Sequence, residues 1–256
     1  MEKGMVEGLG SDHEAAGVAE VRGGRLDAPA VTTIRMTIAN AYLVRGERPI
    51  LVDTGGPGGA GEILEALARS GVDPGEVALI LLTHGHADHF GGAAELKRVT
   101  GAPVAVHELD AGPLRTGRNP RLTATRGRAG LLKPFLPHEA PPVEPDVLLR
   151  GGAGLEEFGV AGRVIETPGH TSGSVSVLLP GGEAIVGDVM MGGHLGGAFR
   201  PGLPRYHYFA EDLERVRKSI AKILALSPTG IFVGHGGPLD PGAARERFAK
   251  EISDAR

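Results

Sequence analysis

The 256-residue sequence predicts a layered protein of mixed α and β elements. Short apolar runs rich in β-branched residues alternate with stretches of helical spacing. The 42 glycines and 19 prolines are spread between these runs as punctuation, which implies many short elements joined by tight turns. Several runs also end on histidine or aspartate, and strand ends in layered α/β proteins are where sites are built.

In chain order, Val31 to Val44 and Pro49 to Asp53 read as strands, and glycines at 55 to 59 break the chain after them. Ile63, Leu64 and Leu67 share one face of a predicted helix over 62–70, stopped by Gly71. Val77 to Leu82 is continuously apolar, as expected of a strand buried on both faces. A short helix over 93–100 and a strand over 103–107 follow. Further strands are predicted over 163–167, 174–179 and 183–188, with a Pro-Gly-Gly turn between the last two. Leu213, Val216, Ile220, Ile223 and Leu224 mark a helix, Ile231 to Val233 a last strand, and Asp240-Pro241 the N-cap and first position of a closing helix.

Composition narrows the chemistry. The net charge of −4 provides no global attraction to nucleic acid or to an anionic membrane. No apolar run approaches the ~20 residues of a membrane span, and the polar first residues lack the apolar core of a signal peptide, so a cytoplasmic location is expected. Residues 1–256 are read as one domain, with 1–17 a flexible tail. Residues 112–138 carry five arginines and a lysine but no acid, and are read as a basic insertion or lid that would orient an anionic substrate. Cysteine is absent, so any metal must be held by histidine and carboxylate.

Five run endings are candidates for one pocket: Asp53, His84, His170, Asp188 and His235. The densest is Thr83-His84-Gly85-His86-Ala87-Asp88-His89, followed by two glycines. In an extended segment His84 and His86 leave on the same side and can grip one ion. Asp88 and His89 fall where the chain turns into a helix, whose positive end favours the carboxylate, and can face a second ion. Two cations ~3.5–4 Å apart can activate a bridging water and polarise a substrate oxygen, which is a hydrolase arrangement. The isolated His13, His107 and His138 are left unassigned.

THGHADH at 83–89, with His170, Asp188, His235 and Asp53-Thr54-Gly55, resembles the motif set of the metallo-β-lactamase fold superfamily, in its general glyoxalase II or lactonase-like branch. The resemblance implies an α+β fold, a four-layer αββα sandwich of two mixed sheets flanked by helices. It implies His84, His86 and His170 on one metal, Asp88, His89 and His235 on the other, and Asp188 bridging both. Asp53 would stand behind the metals and orient a histidine, so Asp53 and Asp88 are grouped with the catalytic machinery. The implied cofactors are two Zn2+ ions, with Fe, Mn and Co as alternatives. The implied activity is a metal-bridging hydroxide attacking a carboxylic ester, thioester or lactone. Alternatives within the same resemblance are a mononuclear-iron persulfide dioxygenase, a phosphodiesterase or nuclease, and a metal-stabilised binding protein without turnover.

Departures from particular subfamilies narrow the function further. The commonest class of true β-lactamases has cysteine where this chain has Asp188, glyoxalase II proper has a helical domain after its last histidine, and known acyl-homoserine lactonases have tyrosine where Met191 stands. His194, His207 and Tyr208, in the glycine-rich segment 190–208, are candidate oxyanion donors. The expected partners are a small-molecule substrate of anionic character and a second copy of the chain in a homodimer. Nucleic acid and membrane are not expected partners.

Overall fold

Alternation along the first strands divides their side chains between two cores, which is what builds the layers. In the computed structural model, which describes residues 30–120, 123–125, 130–131, 133–134 and 136–254, the first sheet has six strands in sequence order. They are β1 (Ala30–Ile34), β2 (Ala41–Arg45), β3 (Ile50–Val52), β4 (Leu79–Leu81), β5 (Val104–His107) and β6 (Val147–Leu149). β1, β2 and β3 pair antiparallel, and β3 through β6 pair parallel. Leu43, Leu51, Ile80, Leu82, Val104 and Val106 face an outer core. Tyr42, Val44, Ile50, Val52, Leu79 and Leu81 face an inner one.

The outer core is closed by α1 (Ala60–Arg69), through Ile63, Ala66 and Leu67, together with α2 (Ala87–Phe90), α3 (Ala93–Thr100) and α4 (Ala111–Thr116). A second sheet covers the inner core. It contains β7 (Arg163–Glu166), β8 (Val175–Leu178) and β9 (Glu183–Ile185). A separate hairpin, β10 (Met191–His194) with β11 (Phe199–Arg205), and α5 (Leu213–Ala225) precede β12 (Gly230–Phe232), which pairs parallel to β9. The sheet order is β12-β9-β8-β7. Val164, Val175, Val177 and Ile185 meet the first sheet, whereas Ala184 and Val186 face α5 through Val216, Ile220 and Ile223. Phe248, between α6 (Pro241–Arg247) and α7 (Ala249–Asp254), completes that third core. Three cores between four layers make the αββα sandwich of two mixed sheets that the resemblance implied.

Several expectations are refined. The run Val31 to Val44 is two strands, because the chain reverses over 35–40 and pairs Val31 with Val44. The segment 190–208 is largely the β10–β11 hairpin, concealed by glycines and prolines that lower β-propensity but are tolerated outside a central sheet. A Cβ on Gly192 would lie 1.8 Å from the Pro201 carbonyl oxygen, so the close strand approach requires glycine. Within 112–138, α4 takes the first residues into the scaffold, with Leu114 in the outer core. The 1–17 tail and His13, and Arg121, Arg126 and Arg128 of the basic segment, lie outside the described residues. Among the described residues no helix is long and apolar enough to cross a membrane.

Candidate metal centre

The parallel pairs β3–β4 and β9–β12 end on the same edge of the sandwich, and their exits bring Asp53, His84, Asp188 and His235 together. Four groups of side chains there have ligand atoms within 4.8 Å of one another: His84, His86 and His170; Asp88, His89 and His235; His84, His89 and Asp188; and His170, Asp188 and His207. His86 is extended (φ −98°, ψ 145°) just before α2, so the chain turns into that helix with Asp88 and His89 in its single turn. Gly234 makes room for the centre, since a Cβ there would lie 2.2 Å from Asp188 Oδ1 and 2.6 Å from His89 Cε1.

Hydrogen bonds fix which ring nitrogens face inward. His170 Nδ1 lies 2.9 Å from the Phe209 carbonyl and His235 Nδ1 lies 3.0 Å from the Ile38 carbonyl. A carbonyl can only accept, so both Nδ1 atoms carry hydrogen and it is both Nε2 atoms that face the centre. His89 Nδ1 is 2.8 Å from Asp53 Oδ2, and Asp53 is itself held by the Thr83 amide and hydroxyl. Asp53 sits at φ 61°, a left-handed conformation that aspartate tolerates better than most residues. His86 Nδ1 and His170 Nε2 face each other at 2.9 Å, two nitrogens that a shared cation would reconcile.

The donor set fits metal ions on a direct observation. Among the described residues, His84 Nε2, His89 Nε2, His235 Nε2 and Asp188 Oδ1 are buried without a hydrogen-bond partner. Each such atom costs about 1–3 kcal/mol, so together they would consume much of the ~5–15 kcal/mol net stability of a domain unless cations satisfy them. Nitrogen and oxygen donors without thiolate suit zinc and also iron, manganese or cobalt.

Electrostatics point the same way. Burial pushes His84 and His170 well below the ordinary imidazole range and His86 down to about 4, keeping these rings neutral and able to donate lone pairs. Burial would also lower His89 and His235, but Asp188 with Asp53 raises His89 well above its usual value, and Asp188 with Asp88 raises His235 to about 10. Burial would raise Asp88 and Asp188, yet the neighbouring histidines hold both below the carboxylate range. Two buried carboxylates thus draw positive charge into the centre, as protons when nothing else is bound.

Of the three candidate oxyanion donors, two line the cavity above the centre. His207 Nε2 is 3.4 Å from Asp188 Oδ2, and its ring stacks on His235 with centroids 5.3 Å apart. Tyr208 also lines the cavity, and its hydroxyl accepts the Leu195 N–H at 3.1 Å. His194 faces Arg205 instead and does not line the cavity. His107 is buried beside Glu166 and accepts the Leu109 amide, and so acts within the fold.

Sequence reasoning missed Asp110. Its Oδ2 accepts the Gly85 amide at 2.8 Å and the Thr171 hydroxyl at 2.6 Å, and its Oδ1 accepts the Gly173 amide at 2.9 Å. One carboxylate therefore ties the His84–His86 turn to the His170 loop. The only sequence signal was an acid three positions beyond the strand ending at His107. Asn119 was missed as well; its Oδ1 accepts the Ala87 amide at 2.6 Å, joining the basic segment to α2.

Comparisons with known proteins agree with this geometry. The family model described as "Metallo-beta-lactamase superfamily" matches residues 34–235. A Xenopus laevis protein named "Metallo-beta-lactamase domain-containing protein 1" is 33% identical over 203 residues, covering 77% of this chain and 70% of the relative. A "Hydroxyacylglutathione hydrolase" from Cereibacter sphaeroides is 32% identical over 195 residues, 75% of this chain and 59% of the relative. Among solved structures, a metallo-beta-lactamase family protein from Thermus thermophilus superposes with a TM-score of 0.63 at 26% identity, covering 88% of this chain and 80% of that one. The chain belongs to the metallo-beta-lactamase superfamily and is a metal-dependent hydrolase of that fold.

Proposed function

We propose that the chain is a dinuclear hydrolase of carboxylic esters, thioesters or lactones. One observation carries the dinuclear reading: the groups His84, His86, His170 and Asp88, His89, His235 share no member, while Asp188 groups with residues of both. His84, His86 and His170 would hold one ion, Asp88, His89 and His235 the other, and Asp188 both. Bound there, zinc or a similar divalent ion supplies Lewis acidity toward a carbonyl oxygen and an activated water.

The remaining work falls to the chain's own residues. Asp88 is kept ionised by His235 and His89, so its carboxylate stays a hydrogen-bond acceptor that can orient a water at the floor of the cavity. Burial keeps His207 neutral, with Nε2 directed toward the centre; Nδ1 lies 3.1 Å from the Phe209 carbonyl and 3.3 Å from the Phe209 amide, and in the tautomer whose Nδ1 accepts that amide an Nε2–H faces a developing oxyanion. The Leu195 amide donates to the Tyr208 oxygen and leaves the phenolic hydrogen available to the cavity as a second donor. An acyl substrate is favoured by the relative named as a hydrolase of an acyl-glutathione.

Metal analysis of protein reconstituted with Zn2+ tests the dinuclear reading, with two ions per chain expected and one or fewer overturning it. The same sample is assayed on esters, thioesters, lactones and phosphodiesters. Exclusive turnover of phosphodiesters, or oxygen uptake with glutathione persulfide by the iron form, would replace the acyl-hydrolase reading.

A further inference from the structure

We infer that the cavity over the metal centre receives a neutral, apolar acyl chain, with Leu195 at the tip of β10–β11 as its selecting lip; this deepens the hydrolase reading and rests on it. The cavity is small, about 140 Å3, and opens to solvent, so it suits a short guest. Its floor is the histidine and aspartate cluster, and its walls are Leu136, Met191, Leu195, Tyr208 and Phe209. Asn119 is a polar wall residue, but its side chain already serves two backbone groups, the Ala87 amide at 2.6 Å and the Pro137 carbonyl at 2.9 Å. Apart from the Tyr208 hydroxyl and Asn119, the wall offers a guest apolar surface, and the charged and imidazole groups are gathered at the floor.

Leu195 supplies an independent observation. It is 71% exposed, at φ 51°, a left-handed conformation that disfavours branched side chains. Gly196 and Gly197 follow at φ 64° and 92°, so the turn uses glycine at both neighbouring left-handed positions but not at this one. Folding alone gains nothing from an exposed leucine in a strained conformation, and such outliers gather at functional sites. The side chain lines the cavity, and the amide is fixed to the Tyr208 hydroxyl. The competing expectation of an anionic substrate drew on the basic segment. Two of its described arginines are paired instead, Arg115 with Glu144 at 2.8 Å and Arg118 with Glu139 at 3.2 Å.

The test uses the Zn2+-reconstituted protein and two readouts. Calorimetry follows binding of unreactive N-methyl alkanamides of increasing chain length, alongside analogues ending in a carboxylate. Steady-state assays follow the matching alkyl-chain esters. Affinity and kcat/KM should both rise roughly fourfold per methylene until the walls are filled. Leu195→Gly should keep or raise the melting temperature, because it relieves the left-handed backbone, yet reduce the gain per methylene; Leu195→Glu should reduce it further. A flat chain-length dependence, or tighter binding of the carboxylate-tailed analogues, overturns the inference. If the amides bind with the expected slope but no ester is cleaved, the inference stands and the hydrolase reading fails. If esters are cleaved without chain-length dependence, the hydrolase reading stands and the inference fails.

Discussion

Replacing Asp110 with alanine should loosen both histidine-bearing loops at once. The substitution leaves the buried Gly85 and Gly173 amides without their acceptor, and frees a Thr171 hydroxyl that still has Ser174 Oγ 2.7 Å away. Two orphaned amides at about 1–3 kcal/mol each give a loss of roughly 2–6 kcal/mol, with water entering the vacated volume favouring the lower end. At the ~2–4 °C per kcal/mol typical of this size, the metal-free protein should melt roughly 5–20 °C lower. Asparagine conserves volume but has one acceptor oxygen, and its NH2 must face an amide N–H, so Asp110→Asn should recover less than half of the loss. The turn between His84 and His86 would also lose its tether, and zinc affinity should fall roughly 10–100-fold, as for other groups that orient metal ligands. Thermal melts of the metal-free proteins and competition with a chelator measure the two effects. A metal-free Asp110→Ala protein melting within about 2 °C of the parent would refute the reasoning, because the two amides would then have found other partners at no cost.

Asp53→Asn should weaken mainly the ion expected at Asp88, His89 and His235, since Asp53 orients His89 while the left-handed backbone tolerates asparagine; equilibrium dialysis should show stoichiometry moving from two toward one, and unchanged stoichiometry at limiting metal would contradict it. Metal uptake at neutral pH should release protons: His89 and His235 are raised by adjacent carboxylates, so both are protonated in the metal-free protein, and affinity should climb with pH up to about 10, where His235 titrates. Calorimetry in buffers of different ionisation heat reads that release, and buffer-independent heats would exclude it. Thr125→Val removes a hydroxyl that bonds the His207 and Tyr208 carbonyls at 2.9 and 3.0 Å, and should lower kcat roughly tenfold at constant metal content through misplacement of those donors. An unaltered kcat would make Thr125 a bystander.

Local pattern made a good part of this protein legible. Apolar alternation and β-branched runs identified most strands of both sheets, because side-chain direction in a strand depends only on parity. The spacing of His84, His86, Asp88 and His89 signalled a metal site, because four such groups in six positions must converge whichever way the chain folds around them. The absence of cysteine limited the donors to nitrogen and oxygen.

Tertiary structure alone decided what depends on distant partners. His207 and His194 belong to the same glycine-rich segment and have opposite fates: the former turns to Asp188, the latter to Arg205 across the hairpin. Asp110 acquires its role from Thr171, 61 positions away, and His235 takes its ring orientation from Ile38, 197 positions away. The apolar lip at Leu195 likewise exists only because the β10–β11 tip folds over the centre. A periodic pattern records which face of an element meets the core, but the chemistry of a pocket comes from loops, whose directions are set by the packing of the layers they join.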